Sequence, residues 1–473
     1  MNTDTLDLLS NFISSTYLHQ ARASRTSVCN DIKSLLAQRK LPEDGWSEDL
    51  IEIFIREVSL WDSNNFPDKS AVGEREGRCF SNIVRRRHWG LVHGIGRSGD
   101  VNAEQPKAAG SSFLLSLTRI LVRDALKSVF GLTNIPKEVI VLPVATGMAL
   151  MLGMTAISQM HMNPTRRNVI WSRIDQKSCI KAATFDPSLN VHVVEQRNQG
   201  EGFLSTDIEA IASLLSELGP ETIHSVVLTT STFSPRTPDD VPSVAKICQD
   251  LGIALVVNNA YGLQCTKCCH LVNEAIRVGR VDLVVQSTDK NFGVPVGGSI
   301  LFGPAAEFAN KIYPGRASMS PILDLLITLL ELGNRRLKEL LVERKETFAY
   351  MISKLQGIEG VTVLNIPKNQ ISLTLTVDSP SFLDEELGSE LFLRNVSGCR
   401  VFVRSDKMKN IDRGIPPMRN FGCHSSEPIV DRYINVACAI GSTKLDVDLF
   451  VSRLTGLLKK RRTSQIAPSV CLE

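Results

Sequence analysis

Between residues 139 and 304 the chain alternates short apolar runs with segments whose apolar residues recur every three or four positions. The runs fall at 139–144, 168–174, 191–195, 225–230, 253–258, 282–286 and 299–302. Amphipathic stretches at 206–218, 239–250 and 267–278 lie between several of them. Runs rich in β-branched residues, alternating with helices, predict a mainly parallel sheet covered on both faces. Seven runs fit one large α/β domain.

The flanks read differently. Residues 1–65 predict a helical N-terminal extension, with an apolar stripe at Leu6, Leu9 and Ile13. Ser47 starts a further helix, with Glu48 and Asp49 in its first turn and Leu50, Phe54, Val58 and Trp61 on one face. The stretch 72–110 is rich in Gly and Arg and shows little periodicity. A long irregular region inside a compact domain is usually functional. After residue 320 come a long helical stretch at about 321–356, strand-like runs at 371–377, 399–403 and 433–440, and a last helix ending in LLKKRR. The chain thus divides into the extension, a large domain at 66–320 and a smaller α+β domain at 321–473.

Composition narrows the class. Of 473 residues, 43% are hydrophobic, 22% charged and 6% aromatic, as in an ordinary soluble globular protein. Lys plus Arg number 53 against 50 Asp plus Glu, so no global field draws in DNA, and an RNA site has to be a local patch. The uncharged stretch 139–160 is long enough for a membrane span but breaks at Ala145-Thr146-Gly147. It reads as a buried strand turning into a buried helix. Eleven scattered cysteines, an N-terminus with no basic leader, and a Cys471 too late for a prenylation box predict a cytoplasmic protein with reduced thiols.

Candidate chemistry collects at the ends of the runs. In QSTDKNF, residues 286–292, an apolar strand ends in a polar turn holding Lys290, followed by Gly293, Gly297 and Gly298. A lysine at the carboxyl edge of a parallel sheet stands where α/β proteins bind ligands, and lysine condenses with carbonyl cofactors. A plain surface lysine would read the same way, so two further pieces decide. Ala145, Thr146, Gly147 and Met148 join a strand to a helix, and their N–H groups suit a cofactor phosphate. VVNNAYG, 256–262, ends another strand at Asn258, where pyridoxal-phosphate enzymes of the aspartate-aminotransferase fold usually set an Asp against the pyridine nitrogen. Phosphate turn, polar strand end and lysine follow in the chain order of that fold. Pyridoxal 5'-phosphate is therefore the leading cofactor.

HGIGRSGD, 93–100, carries Gly94, Gly96 and Gly99 at the spacing of a dinucleotide loop. That reading needs a helix next and an acid about 20 residues on. Instead 100–110 is polar with Pro106, and Asp124 sits inside a helical pattern. Glycines that expose N–H groups, beside Arg97, Ser98, Gln105 and Lys107, predict an anion loop at 96–106 for a phosphate. VGEREGR, 72–78, alternates acid and base, as a solvated charge run also would. Cys265, Cys268, Cys269 and His270 have no second ligand pair at metal spacing and read as reduced helix cysteines rather than a zinc site. The basic clusters at 85–87 and 459–462 suit solubility or RNA contact.

Taken together these motifs resemble the O-phosphoseryl-tRNA(Sec) selenium transferase family, the selenocysteine synthases of archaea and eukaryotes. The match runs through WDSNNFPDKSAVGEREGR, HGIGRSGDVNAEQPKAAGSS, ATGM, WSRIDQKSC, VVNNAYG, QSTDKNFGVPVGG and YPGRASMSP, in order over about residues 60–330. It thins in the last hundred residues, where SGCRV and DVDLF carry it. The resemblance implies a type I pyridoxal-phosphate transferase fold and a homotetramer, with the helical extension serving oligomerisation. It implies conversion of phosphoseryl-tRNA(Sec) to selenocysteinyl-tRNA(Sec), with selenophosphate as donor. It assigns the cofactor to Lys290 and the substrate phosphate to Arg97, Ser98, Gln105 and Arg316. Glu74 and Arg75 become active-site residues, Arg75 near the cofactor, and Lys177 falls beside Gln176 over the ring. Arg277 and Arg400 become tRNA contacts, with Lys459 of the last helix as a further one.

Asn258 cannot hold a ring nitrogen protonated as an Asp would, so the electron sink is weaker; loss of a good leaving group such as phosphate tolerates that. A carboxylate at Glu74 would repel the α-carboxylate of free phosphoserine, which the ester on tRNA lacks. Two other readings stand beside this one. A related enzyme making cysteinyl-tRNA from phosphoseryl-tRNA would need a persulfide-carrying cysteine near the cofactor, for which Cys179 is the candidate. A non-catalytic tRNA-binding scaffold would have lost Lys290 or the phosphate loop, and both are present.

Overall fold

The computed structural model describes residues 8–198, 200, 202–364, 366–412 and 414–466. The large sheet contains β1 (Ile140–Leu142), β2 (Asn168–Ser172), β3 (Asn190–Val194), β4 (Ile223–Thr229), β5 (Ala254–Asn258), β6 (Leu283–Ser287) and β7 (Ser299–Phe302). Their order is β1-β7-β6-β5-β4-β2-β3, and each coincides with a predicted run. β4, β5 and β6 are buried at every position. Cover on both faces is why these sequences read as continuous apolar runs rather than alternating ones. Pairing is parallel from β6 through β5, β4 and β2 to β3, while β7 runs antiparallel to β6 and to β1. β1 therefore points the same way as β5 and β6, and their carboxyl ends share one edge.

At the N-terminal side, α1 (Ser15–Gln38) and α2 (Glu48–Ser59) form the extension. Ser47 caps α2 as expected, its Oγ accepting from Leu50 N at 3.3 Å. Ile51, Phe54, Ile55 and Val58 bury into the main core, where α2 meets α3 (Ala109–Ser128). Each fully buried side chain of this kind contributes about 1.5–3 kcal/mol. The predicted Leu6–Ile13 stripe does not form a helix over its described part. Only a single turn at Leu9–Asn11 is present, Ile13 is exposed, and extended Ser14 restarts the chain as the cap of α1; Leu6 lies outside the described residues.

The remaining helices used below are α4 (Thr146–His161), α5 (Lys177–Ala183), α6 (Thr266–Val278), α7 (Thr288–Phe292), α8 (Ser320–Gln356) and α9 (Lys444–Ile466). The smaller sheet, β8 (Val361–Leu364), β9 (Ser372–Val377), β10 (Arg400–Val403) and β11 (Arg432–Ala437), is antiparallel in the order β8-β9-β11-β10. β8 escaped the sequence reading because it is a four-residue edge strand with one fully buried position. α8 serves both cores: Ile322, Leu326 and Leu330 pack under the large sheet, Met351 and Leu355 under the small one.

Gly333 breaks α8 with φ 61° and ψ −174°, a left-handed region that favours glycine. A Cβ there would stand 2.8 Å from Gly45 N. Into this break comes the segment after α1. Trp46 N donates to Leu330 O at 2.8 Å, Asn334 N to Pro42 O at 2.8 Å and Arg335 N to Glu43 O at 3.0 Å. Among the described residues no helix is long and apolar enough to cross a membrane.

Candidate active site

β6 ends at Ser287 and runs directly into α7, which carries Lys290. Lys290 Nζ donates to Ser287 Oγ at 3.1 Å and to Asp289 Oδ2 at 2.9 Å, and its side chain is 44% exposed. Thr146 Oγ1 donates to the same Ser287 Oγ at 2.8 Å, and Ser287 donates to Asp289 Oδ1 at 2.5 Å. One hydroxyl therefore joins the lysine to the first turn of α4. Ala145 begins α4 in an extended conformation without a capping side chain, which leaves the first-turn N–H groups of Thr146, Gly147 and Met148 without that partner. α4 and α5 pack together at Gly147, where an added Cβ would make an ordinary contact with Ser178 Cβ at 3.4 Å. Half-buried Gln176, at the start of α5, and exposed Lys177 thus come beside the turn.

Asn258 ends β5 and is buried. Its Oδ1 accepts from Ala260 N at 3.1 Å and its Nδ2 donates to Cys179 Sγ at 3.1 Å. Burial pushes the Cys179 thiol up to about 11, although the Asn258 amide and the Lys290 charge both pull it down. Gln264 straps the lysine turn to the small domain, Nε2 donating to Lys290 O at 2.6 Å and Oε1 accepting from Ile440 N at 2.7 Å. Behind Gln176, Arg173 and Asp175 form a fully buried pair at 2.9 Å. Asp175 accepts from Gly422 N at 2.7 Å and His424 N at 2.8 Å, fastening this segment to the small domain. His424 Nδ1 accepts from Asp175 N at 2.9 Å, and burial lowers the His424 pKa to about 3.

The glycine-rich segment forms a tight hairpin instead of a loop leading to a helix. Ser98 at φ 49° and Gly99 at φ 85° are the two central residues of a turn closed by Arg97 N to Asp100 O at 2.8 Å and Asp100 N to Arg97 O at 3.0 Å. An antiparallel bridge between Ile95 and Ala317, with N–H···O distances of 2.9 and 3.0 Å, brings Arg316 to the same hairpin. Arg97 and Ser98 are exposed, and Arg316 is half-buried. Gln105 Nε2 reaches Gly96 O at 3.4 Å. Lys107 Nζ pairs with Glu76 Oε1 at 2.6 Å instead of standing free toward the hairpin. Glu74 Oε1 lies 3.5 Å from Arg75 Nε, with side chains 88% and 73% exposed.

Sequence reasoning passed over His93, which opens this motif. It is buried, with Nε2 3.1 Å from Ser63 Oγ and Nδ1 without a partner among the described residues. Burial holds its pKa down, Asp62 and Glu76 oppose that, and Arg316 and Lys107 add to it. Asp62 in turn accepts from Ser111 N at 3.0 Å and Ser111 Oγ at 2.6 Å at the start of α3. Ser287 and Asp289 were also missed, although they stand inside the lysine motif. No hydrogen bond or ion pair among the described residues joins the hairpin residues Arg97 and Arg316 to Lys290 or Asn258.

The residues expected to meet tRNA lie elsewhere. Arg277 is exposed on α6 and held by Glu274 at 2.5 and 2.9 Å. Arg400 stacks over the Phe233 ring at 4.2 Å, in a cleft that Lys407, Lys409 and Phe421 also line. Lys459 is exposed on α9.

The sheet-edge residues fit pyridoxal 5'-phosphate. An uncapped helix start suits its phosphate, a lysine amine linked to that start suits its carbonyl carbon, and the amide at the end of β5 can donate to its ring nitrogen.

Comparison with known proteins agrees. The pattern of the family described as O-phosphoseryl-tRNA(Sec) selenium transferase matches residues 61–459. The O-phosphoseryl-tRNA(Sec) selenium transferase of Dictyostelium discoideum is 41% identical over 484 residues, covering 98% of this chain and 100% of its own. The crystal structure of an archaeal O-phosphoseryl-tRNA(Sec) selenium transferase superposes with a TM-score of 0.84 at 28% identity, covering 94% of this chain and 98% of that one. A glutamate decarboxylase domain from Vibrio parahaemolyticus, at 14% identity and a TM-score of 0.58 over 93% and 95% of the two chains, shares the fold alone. The architecture is that of the type I pyridoxal-phosphate enzymes, and the chain belongs to the O-phosphoseryl-tRNA(Sec) selenium transferase family.

Proposed function

We propose that this chain converts O-phosphoseryl-tRNA(Sec) to selenocysteinyl-tRNA(Sec), with pyridoxal 5'-phosphate as cofactor and selenophosphate as selenium donor, in a homotetramer. The observation that carries the reading is the link from Lys290 through Ser287 to the open start of α4, in a chain that matches the family over residues 61–459. When bound, the cofactor supplies a conjugated ring that withdraws electrons from the carbon bearing the substrate amine.

The rest falls to this chain's own side chains. Thr146, Gly147 and Met148, following Ala145, offer N–H groups to the cofactor phosphate, and Gln176 flanks the ring. Asn258 offers a neutral donor at Nδ2, which holds the ring without adding charge. Lys290 Nζ, once free of Asp289, is the base that takes the proton from the substrate's α-carbon. Arg97, Ser98, Gln105 and Arg316 receive the departing phosphate, whose growing charge meets donors already fixed by the hairpin. Lys107 stands behind them, engaged with Glu76, and Lys177 waits exposed at the start of α5. Glu74 and Arg75 face incoming substrate. Arg277, Arg400 and Lys459 offer charge to the tRNA backbone and acceptor end, Arg400 from a ring-lined cleft.

The reading in which sulfur replaces selenium through a persulfide fares worse. Its candidate, Cys179, is bonded to Asn258 and pushed up to about 11 by burial, so at neutral pH it is a thiol and a poor nucleophile. Incubating the protein with phosphoseryl-tRNA(Sec) and either selenophosphate or sulfide tests the proposal. Selenocysteinyl-tRNA formed with selenophosphate is the expected product; cysteinyl-tRNA alone, or no turnover, would overturn it.

A further inference from the structure

Cys179 stands in the site above with no task in the reaction. It is the third residue of α5, and its N donates to Gln176 O at 3.1 Å, so the first turn of that helix fixes its backbone. Just before it, Asp175 fastens the segment to the small domain by accepting from Gly422 N and His424 N. The sulfur is thus carried on a fixed mount, 79 residues away in sequence from the side chain it meets.

That side chain is Asn258 at the end of β5, buried to 4% exposure. A carboxamide has two unlike ends: Oδ1 accepts, and Nδ2 donates two hydrogens. Ala260 N donates to Oδ1 at 3.1 Å, which settles which end lies where. Turned over, the amide would set Nδ2 against that N–H, two donors facing each other in a buried place. Nδ2 gives one hydrogen to Cys179 Sγ at 3.1 Å and has no other acceptor among the described residues. No carboxylate among the described residues bonds to either side chain. Burial keeps the thiol protonated, so its sulfur accepts without adding charge.

We propose that Cys179 is a positioning residue: together with Ala260 N it locks the Asn258 amide so that an N–H, and no acceptor, is offered to the pyridine nitrogen of the cofactor. The inference rests on the pyridoxal 5'-phosphate reading above. Ala260 holds only Oδ1; the sulfur holds the other end, and with both in place the amide cannot swing away before the ring arrives. A ring nitrogen met by a donor spends its lone pair on that bond and stays unprotonated. Such a ring is the weaker electron sink. It suffices for loss of phosphate, a good leaving group, and serves poorly where charge has to stay in the ring, as in transamination. The cysteine therefore bears on which reaction the site favours, through the side chain it holds.

The test titrates the full-length protein, freed of cofactor, with pyridoxal 5'-phosphate and reads binding by absorbance. Cys179→Ala should bind it roughly three- to tenfold more weakly than the parent, the scale of one modest hydrogen bond. Cys179→Ser, whose hydroxyl still accepts, should recover most of that loss. In an Asn258→Ala background the further change Cys179→Ala should make no difference, whereas a packing role for the sulfur would persist there. The nitrogen-15 shift of cofactor labelled in the ring should mark an unprotonated nitrogen in the parent and a protonated one in Asn258→Asp. Equal affinity of the parent and Cys179→Ala, an equal loss in the Asn258→Ala background, or a protonated ring nitrogen in the parent would each overturn the proposal alone. A parent that takes up no cofactor would overturn the reading on which it rests, and the proposal with it.

Discussion

At the sheet edge the side chains that matter are engaged with one another: Lys290 with Ser287 and Asp289, Thr146 with Ser287, Asn258 with Cys179. In the hairpin at 93–100 the backbone is just as fixed, by the Arg97–Asp100 turn and the Ile95–Ala317 bridge, yet Arg97 and Ser98 point into solvent. The first arrangement suits a group that stays, whose place is shaped before it arrives. The second suits a group that comes and goes: the main chain does not reorder when it binds, and among the described residues the Arg97 guanidinium is not spent on an internal partner. The difference shows that a site can be preorganised at the side chain or at the backbone, and that each choice matches a residence time.

Removing the lysine is the most severe way to break this contrast. Lys290→Ala should abolish turnover and the lysine-dependent cofactor absorbance while circular dichroism stays native, because its partners Ser287 and Asp289 remain bonded to each other without it. A Lys290→Ala protein that still turns over would strip the sheet edge of its role. Next come Arg97→Ala and Arg316→Ala. Each should cost about 2–5 kcal/mol of transition-state stabilisation, as for a charge pair losing one partner, with cofactor absorbance unchanged. Loss of that absorbance would mean that hairpin and edge are one unit.

Acid probes the edge from below. His224 of β4 is buried between Ser158 and Ser225, and burial lowers its pKa to about 4. Between pH 6.5 and 4 the unfolded chain binds the proton that the native one refuses, so stability is complete above pH 6.5 and falls as the pH drops through that window. This group alone should cost roughly 3 kcal/mol at the acid end, read as a lower urea midpoint at pH 4 than at pH 7. An unchanged midpoint would show that the histidine protonates in the folded protein. The smallest effect is expected at Glu74. With its side chain 88% exposed, the interaction with a carboxylate near 4 Å is close to its value in water, about 1 kcal/mol. Glu74→Gln should therefore bind free phosphoserine roughly fivefold better, by isothermal titration. Equal binding would leave Glu74 as a partner of Arg75 and nothing more.

The fold was largely legible because periodicity is local. Each strand of the large sheet announces itself within three to seven residues, and Lys290, Asn258 and Thr146 stand at strand ends where the apolar pattern stops. What joins them was not legible. The Thr146–Ser287 bond spans 141 residues, Asn258–Cys179 spans 79, and the Asp62–Ser111 pair spans 49. No window of sequence contains both partners.

The break at Gly333 bears on the order in which the protein can be made. Pro42, Glu43 and Trp46 leave the ribosome early, while Leu330, Asn334 and Arg335, which complete their backbone hydrogen bonds, are translated late. Until both exist, the first-made segment has no seat and the long helix has a gap in its ladder. α8 also contributes side chains to both hydrophobic cores, so that late meeting completes the helix they share. A chain trimmed before residue 47 would leave three main-chain groups in mid-helix without their partners. The extension is thus a pin put through the helix from the far end of the chain.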